Sequence, residues 1–261
     1  MCACRKLNAL ILSLFSVFVQ PLAARELPVR ILGIEQGLSN NAVMSICQDH
    51  NGFLWIGTYD GLNRWDGYGF KVFHNVIDDS TSLATNTIYS IEEDESHCIW
   101  VGGQKGLSMY NVLTSKFSRV RYTSLSGSLE NIQDNIHIVR AAGPGCILVA
   151  TQHNGLLVFK NGTANGLQIP LIINDRHSGN YDVTGLAQGA DHRLWVFVQH
   201  EGLFNYDPAQ KKLSRVNSSI QQANCLKIDR KGRLWLANDG GVFLYDPPSN
   251  SYSGNFMPVK A

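Results

Sequence analysis

Five short turns supply the polar side chains in this sequence that could bind a ligand, because each stands just before a glycine that recurs along the chain. Together they offer carboxylate, amide, amine, imidazole and phenol groups, which can form hydrogen bonds with hydroxyl-rich or charged small molecules. Tight turns are polar in most proteins, so a purely structural role is the alternative. The candidate ligand-binding residues are Tyr59, Asp60, Gln104, Lys105, His153, Asn154, His200, Glu201, Asn238 and Asp239.

The histidines and carboxylates in these turns raise the question of metal binding or catalysis. His153 and His200 could combine with Asp60 or Glu201, but these residues belong to three different repeats and their spacing matches no metal-binding motif. We therefore expect solvated turn histidines, with no metal site and no cofactor. The sequence also lacks a CxxC pair, a Gly-rich phosphate loop, a nucleophile elbow and an HExxH motif. The chain as given is thus predicted not to be an enzyme.

Short strands must position these turns. Around the first turn, the apolar runs Asn41–Gln48, Phe53–Thr58 and Leu62–Asp66 have the composition of β-strands. The first two runs are joined by Asp49–Gly52, whose Asp, Asn and Gly residues tolerate the dihedral angles of a tight reversal. The turn at Tyr59 and Asp60 joins the second run to the third, which predicts an antiparallel unit.

The same unit occurs five times. The turn glycines Gly61, Gly106, Gly155, Gly202 and Gly241 are 45, 49, 47 and 39 residues apart, and a period of this length with strand character predicts an array of β-sheet blades. Six residues before the glycine stand Trp55, Trp100, Val149 and Trp235, whereas Trp195 stands seven before it, one insertion away. Four residues after it stand Trp65, Tyr110, Phe159, Tyr206 and Tyr245. Each blade must bury a flat face, so we expect the tryptophans to pack between blades, each burying roughly 150–250 Å².

The stretch GLSNNAVMSICQDHNGFLWIGTYDGLNRWDG, which begins at Gly37, resembles the repeat of the two-component regulator propeller family. The resemblance implies an extracytoplasmic module that senses a small polar or polysaccharide-derived ligand for a hybrid two-component histidine kinase, with signal transduction by phosphorelay. Some family members precede diguanylate cyclases instead, and an exported propeller enzyme of lyase or lactonase type is a further alternative. The match is close over 37–73, good over 82–120, 181–216 and 223–246, and degraded over 131–160.

The predicted architecture is all-β: a β-propeller of about five four-stranded blades at residues 37–73, 82–120, 131–160, 181–216 and 223–256. Glu26–Ile34 precedes the first repeat in the place of an outer fourth strand, and Ser251–Phe256 could be the outer strand of the fifth. We therefore expect an open part of a larger, seven-bladed ring, completed by downstream blades and signalling modules or by a second copy. A closed five-bladed ring is the alternative.

Residues 1–24 have the pattern of a signal peptide. Arg5 and Lys6 precede the apolar run Leu7–Val19, and Leu22–Ala24 offers small residues for cleavage. The propeller sensor domain is accordingly expected to comprise residues 25–261, exported to the periplasm. An uncleaved anchor is the alternative.

The composition of the chain limits the classes of binding partner that we expect. The chain of 261 residues has a net charge of +1 and no run of Lys and Arg, so neither nucleic acid nor an anionic membrane surface is indicated. The four cysteines beyond the signal segment, Cys47, Cys98, Cys146 and Cys225, are spread among the repeats. Because most pairs would be too far apart to form a disulfide bond, we expect buried free thiols.

Overall fold

The computed structural model describes residues 29–143, 145–189 and 191–254. Contacts divide the chain into a unit of residues 1–31 and a unit of residues 32–261. The described secondary structure consists of β-strands and one turn of 3₁₀ helix, Ile34–Gln36. The predicted signal peptide lies outside the described residues.

Five sheets, here called blades and each built on four antiparallel strands, follow one another along the chain, which confirms the predicted all-β propeller architecture. In each of blades one, two, four and five, four consecutive strands pair in sequence order. Blade one contains β1 (Val43–Gln48), β2 (Leu54–Thr58), β3 (Gly61–Trp65) and β4 (Phe70–Phe73). Blade two contains β5 (Ile88–Glu93), β6 (Ile99–Gly103), β7 (Gly106–Asn111) and β8 (Lys116–Arg119).

Blade three is larger than predicted. Its strands are β9 (Arg121–Thr123), β10 (Leu129–Asn131), β11 (Ile136–Ala141), β12 (Cys146–Thr151), β13 (Leu156–Lys160) and β14 (Asn165–Ile169). The six strands pair in the order β10, β9, β14, β13, β12, β11, so the Ser-rich connection 121–134 contributes two strands to the outer edge. The outer strand β14 pairs in parallel with β9, which covers backbone groups that would otherwise form an open sheet edge.

A small hairpin that the sequence analysis did not predict stands between blades three and four. It consists of β15 (Leu171–Ile173) and β16 (Arg176–Ser178). Asn174 and Asp175 form its turn with φ angles of 50° and 61°, as the tight turns of two-residue hairpins require. Blade four contains β17 (Val183–Gln188), β18 (Leu194–Val198), β19 (Gly202–Asp207) and β20 (Lys212–Asn217), and blade five contains β21 (Cys225–Ile228), β22 (Leu234–Asn238), β23 (Gly241–Asp246) and β24 (Ser251–Ser253).

Aromatic side chains pack between neighbouring blades, as predicted. The ring centroids of Trp55 and Tyr110 are 5.3 Å apart across blades one and two. The corresponding pairs are Trp100 with Phe159 at 5.2 Å and Trp195 with Tyr245 at 5.7 Å.

The prediction that Val149 takes the tryptophan position of blade three is wrong. Leu148 lies opposite Val158, as Trp55 lies opposite Arg64, and Leu148 contributes to the apolar cluster shared by blades three and four. The turn between β12 and β13 is one residue longer than the turn between β2 and β3, which displaces the count from the glycine. In blade four the insertion also lies in this turn, so Trp195 keeps the strand register of Trp55.

Backbone conformation and close packing both favour glycine at this turn position. Gly61 has a φ of 106°, and a Cβ atom there would lie 2.8 Å from the carbonyl oxygen of Phe73. At Gly106 the backbone is not left-handed, but a Cβ atom would lie 2.6 Å from that of Ala84. In both blades, another segment of the same chain lies too close to this glycine to leave room for a side chain.

The predicted outer strand is not seen in the described part of the leading segment. Residues 29–33 of Glu26–Ile34 are not in a strand, and residues 26–28 lie outside the described residues. Ser251–Ser253 pairs with β23, which confirms the predicted outer strand as far as the description extends. Among the described residues, no helix is long and apolar enough to cross a membrane.

All four described cysteines are free thiols. Cys98 is buried and its pKa is raised to about 11, mainly by burial. Cys47 and Cys146 are half-buried, whereas Cys225 is exposed on the inner strand of blade five. The expected burial therefore fails for Cys225, whose strand has no following blade packed against it in the described structure.

Candidate ligand-binding site

The turns between the second and third strands lie on the same side as the connections that lead into the next blade. Each of the first four turns is hydrogen-bonded to the connection that follows, which explains how successive blades keep their alignment. The backbone bonds are Gly61 N–H to Asn86 O at 2.6 Å, Tyr181 N–H to His153 O at 3.1 Å and His200 N–H to Gln221 O at 2.6 Å. In blade two, Lys105 N–H donates to Asn135 Oδ1 at 3.3 Å.

Nine of the ten predicted ligand-binding residues lie in these turns and Asn238 ends β22 beside one of them; each of the ten is exposed or half-buried. The structure therefore places them on one side of the five blades. It does not bring them into one cluster: across the described residues, no hydrogen bond joins the predicted pair of one blade to that of another. Their polar atoms instead contact the connections beside them, as Asp239 Oδ1 does when it accepts from Asn224 Nδ2 at 2.8 Å.

The turn of blade three is held by Asp134. This buried carboxylate accepts from the backbone N–H groups of His153 and Asn154 at 2.6 and 2.8 Å, and from Asn135 at 2.9 Å. The Nδ1 atom of His153 lies 3.0 Å from its Oδ1. Burial alone would raise the pKa of Asp134, but these hydrogen bonds outweigh it and lower the pKa below its ordinary value of 3.8. His153 and Asn154 are thus fixed in place by a residue that the sequence analysis did not select.

A cavity of about 670 Å³ lies between the β15–β16 hairpin and the turn of blade four. It includes His200 and Glu201, two of the predicted residues. Its volume is within the range of sites for small molecules, and nine of its eleven lining residues are polar. The lining residues are Leu171, Ile173, Asn174, Arg176, Ser178, Asn180, Tyr181, Asp182, Gln199, His200 and Glu201.

Tyr181 fixes the base of this cavity. Its hydroxyl donates to the carbonyl of Ile169 at 2.5 Å and accepts from the N–H of Leu156 at 3.1 Å. Burial raises the pKa of Tyr181, so the phenol stays neutral. A Cβ atom on Gly155 would lie 2.3 Å from the tyrosine ring, which explains why the recurrent glycine is needed in blade three. The segment that follows the hairpin is therefore anchored to blade three.

Charged groups of both signs surround the cavity. Asp182 Oδ1 lies 3.2 Å from His137 Nε2, which links the first strand of blade three to the start of blade four. Glu201 forms an ion pair with Arg215, and Arg176 is exposed on the hairpin. These groups and the amides of the hairpin can donate and accept hydrogen bonds at several points of one polar ligand.

A second cavity, of about 490 Å³, adjoins the turn of blade two. Lys105 lines it together with Arg119, Asn131 and Gln133, so its polar groups are mostly donors and amides. The other seven predicted residues line neither of these two cavities.

Most of the larger cavity was missed by sequence reasoning because the hairpin lies between repeats. The Asn174 and Asp175 pair between the apolar run Leu171–Ile173 and Arg176–Ser178 is the pattern that could have indicated it. The predicted residues come from the recurring unit, whereas the lining residues of the hairpin do not recur.

Comparison with known proteins identifies the repeat. The family description "Two component regulator propeller" matches residues 37–60 and 82–105. A protein named histidine kinase P4 from Formosa agariphila is 53% identical over 47 residues, which are 18% of this chain and 3% of that protein. These matches confirm the resemblance inferred from the sequence.

Solved structures extend the likeness to most of the chain. The extracellular domain of BT3049 from B. thetaiotaomicron, described as a hybrid two component system, is 25% identical, with a TM-score of 0.68 over 86% of this chain. This chain covers 31% of that domain, so it spans about a third of the length of that structure. Virginiamycin B lyase from Staphylococcus aureus has a TM-score of 0.61 at 12% identity, with 84% of this chain and 70% of the lyase covered, and this likeness shows the fold alone.

Proposed function

Since the chain carries repeats of the two-component regulator propeller family, we propose that it is an extracytoplasmic ligand-sensing module of a hybrid two-component system. The observation that carries the proposal is the polar cavity of about 670 Å³ on the side where the blades are joined. A ligand there contacts both the hairpin and the turn of blade four, so its binding can shift the arrangement of two neighbouring blades. The likeness to the extracellular domain of BT3049 supports the same assignment.

The ligand is a small polar molecule, and a fragment of a polysaccharide fits the lining best. The amides of Asn174 and Asn180 and the hydroxyl of Ser178 can each bond a sugar hydroxyl. Arg176 and Asp182 supply one charge of each sign. The guanidinium group can bind an acidic sugar, and both groups can form hydrogen bonds with a neutral one. Leu171 and Ile173 offer an apolar surface for the face of a sugar ring.

Binding rather than catalysis is the role of this chain within the proposal. The virginiamycin B lyase is 12% identical, and that level supports a common fold without a common reaction. A module that serves a diguanylate cyclase would bind its ligand in the same way, since the output lies in another part of the protein.

The module is exported in this proposal, and the predicted signal peptide at residues 1–24 would direct it to the periplasm. The extracellular origin of the similar domains supports this location. The intact mass of the exported protein should match a chain that begins near Arg25. Unprocessed protein confined to the cytosol would contradict the assignment.

A further part of the proposal concerns a partner for blade one. Met44 and Ile46 of its first strand are 44% and 63% exposed, although apolar side chains of this kind are usually covered. Further blades of the same protein are the proposed cover, and pairing of two copies is the alternative. If two copies pair, the mass of the purified chain in solution should show association that Ile46→Ser reduces; a monomer in both cases would exclude pairing of copies and favour further blades as the cover.

Thermal denaturation in the presence of glycan fragments tests the sensing role. A bound fragment should raise the melting temperature of the parent chain, because a ligand stabilises the folded state that it binds. Binding that survives replacement of the cavity residues, or a library of acidic and neutral fragments with no effect, would count against the cavity.

A further inference from the structure

A second polar cluster lies on the opposite side of the blades, at the ends of first strands and in the turns that follow them. It joins His50 of blade one to Glu93 and His97 of blade two. The Nδ1 atoms of the two histidines lie 2.5 and 3.3 Å from the same oxygen, Oε1 of Glu93. The two imidazole rings are stacked, with centroids 3.7 Å apart and planes inclined by 27°. The stacking directs both Nδ1 atoms to one point.

The backbone holds these side chains in place. Oε2 of Glu93 accepts from the backbone N–H of His50 at 2.8 Å, which leaves Oε1 free to face both rings. The two turns are themselves fixed, since Asp49 accepts from the N–H of Phe53 at 3.0 Å and Asp94 accepts from that of Cys98 at 2.9 Å. Such rigid support is what a preorganised metal site requires.

His97 occupies a backbone position at which most of the other blades have glycine. His97 has a φ of 60°, in the left-handed region that favours glycine. The equivalent turn positions in blades one, three and five are indeed glycines, Gly52, Gly145 and Gly232, with φ angles of 87°, 81° and 76°. Blade four has His192 there, also with a φ of 60°. Within the described part of the chain, His97 belongs to a group of three potential metal ligands, and His192 does not.

We propose that His50 Nδ1, His97 Nδ1 and Glu93 Oε1 bind a divalent transition-metal ion of the zinc class, which links blades one and two. These ligand atoms all lie within 4.8 Å of one another, so small side-chain rotations suffice to place an ion between them. Two imidazoles and one carboxylate are a common ligand set for zinc, with water in the fourth position. Two nitrogen donors in a set of three disfavour Ca²⁺ and Mg²⁺, which take oxygen ligands.

Binding needs no oxidant or other co-reactant. Each imidazole gives the metal its Nδ1 lone pair, and any proton held between Nδ1 and Oε1 leaves to solvent. Cys47, on the neighbouring strand, is not part of the ligand set. Burial, together with the charges of nearby acidic residues, raises the pKa of its thiol to about 11, so it stays protonated.

Calorimetric titration of the full chain, prepared without a polyhistidine tag, with zinc sulfate tests the proposal. We expect one ion per chain. His97→Gly should weaken binding at least about tenfold, as loss of a ligand does, while the glycine suits the backbone at that position. The matched control is His192→Gly, which makes the same change at the equivalent position of blade four and should bind zinc as the parent does.

Cobalt gives an independent readout, because its visible absorption reports nitrogen and oxygen ligation directly. Glu93→Gln should weaken the cobalt spectrum, and a chelator should abolish it. Absence of zinc binding by the parent chain would overturn the proposal, as would equal zinc affinities of the parent and His97→Gly. The cluster would then only join blades one and two by hydrogen bonds. Circular dichroism of each variant separates loss of binding from loss of folding.

Discussion

The indole N–H of Trp55 donates to Oδ2 of Asp49 at 2.7 Å, and both residues are buried. The same bond recurs between Trp100 and Asp94 at 2.7 Å and between Trp235 and Asp229 at 2.9 Å. The second carboxylate oxygen accepts backbone N–H groups of the same turn, so one aspartate fixes both the turn and the tryptophan. Blade three has Ala142 at this position and lacks the tryptophan too, whereas blade four has Gly189 there and keeps Trp195, so the tryptophan does not depend on the aspartate in every blade.

The first prediction is that Asp49 and Trp55 are energetically coupled. Asp49→Ala should lower the free energy of unfolding by about 1–3 kcal/mol, because buried N–H donors lose their acceptor. Trp55→Phe removes the donor and keeps most of the apolar ring. Denaturant melts of both single variants and the double variant should give a coupling energy of at least about 0.5 kcal/mol. Additive losses would mean that the hydrogen bond contributes nothing of its own.

The second prediction concerns packing between blades. Trp55→Ala should lower the free energy of unfolding by about 3–5 kcal/mol, as deletion of a buried aromatic side chain does. Trp235→Ala is the matched comparison, because Trp235 has the same place in blade five but is only half-buried. Its loss should be smaller in the same denaturant melts. A loss under about 1 kcal/mol for Trp55→Ala would refute the packing role.

The third prediction separates the cavity from the wider ring of turns. Arg176→Ala and His200→Ala remove groups that line the cavity, so each should reduce the rise in melting temperature caused by a bound glycan fragment. Asp60→Ala is the control, because Asp60 occupies a predicted turn outside the cavity. If Asp60→Ala reduced the rise as much as His200→Ala did, the ligand would lie across the ring of turns instead.

The fourth prediction concerns pH and Asp134. Because its pKa is lowered in the folded state, the carboxylate stabilises the fold above its ordinary pKa of 3.8. That contribution is lost as the pH falls from about 4 through the lowered folded pKa. Asp134→Asn should therefore lose about 1–3 kcal/mol at neutral pH and converge with the parent in acid.

Urea melts of Asp134→Asn at several pH values provide the measurement, with Asp60→Asn as an exposed control expected to change stability by less than about 0.5 kcal/mol. A stability difference that stays constant from neutral pH to pH 3 would show that Asp134 acts through its shape and not through its charge.

The repeating unit was determined by the sequence alone. A turn glycine and flanking aromatics at fixed offsets predict an antiparallel blade, because both are local requirements: Gly61 satisfies a left-handed backbone and Trp55 fills a flat apolar face. The same local pattern placed the polar turn residues on one side of the sheets. Where the turn before Gly155 gained one residue, counting along the chain failed, and Leu148 took the place assigned to Val149.

The tertiary structure decided the features that depend on contacts between residues far apart in the sequence. β9 is a strand because β14 offers its backbone an edge to pair with, and the β15–β16 hairpin forms a cavity because Tyr181 anchors the segment that follows it to blade three. Glu93 meets His50 across 43 positions of sequence only because two blades pack face to face. Local sequence specifies each blade, but the groups that meet between blades are set by packing, which no periodic pattern encodes.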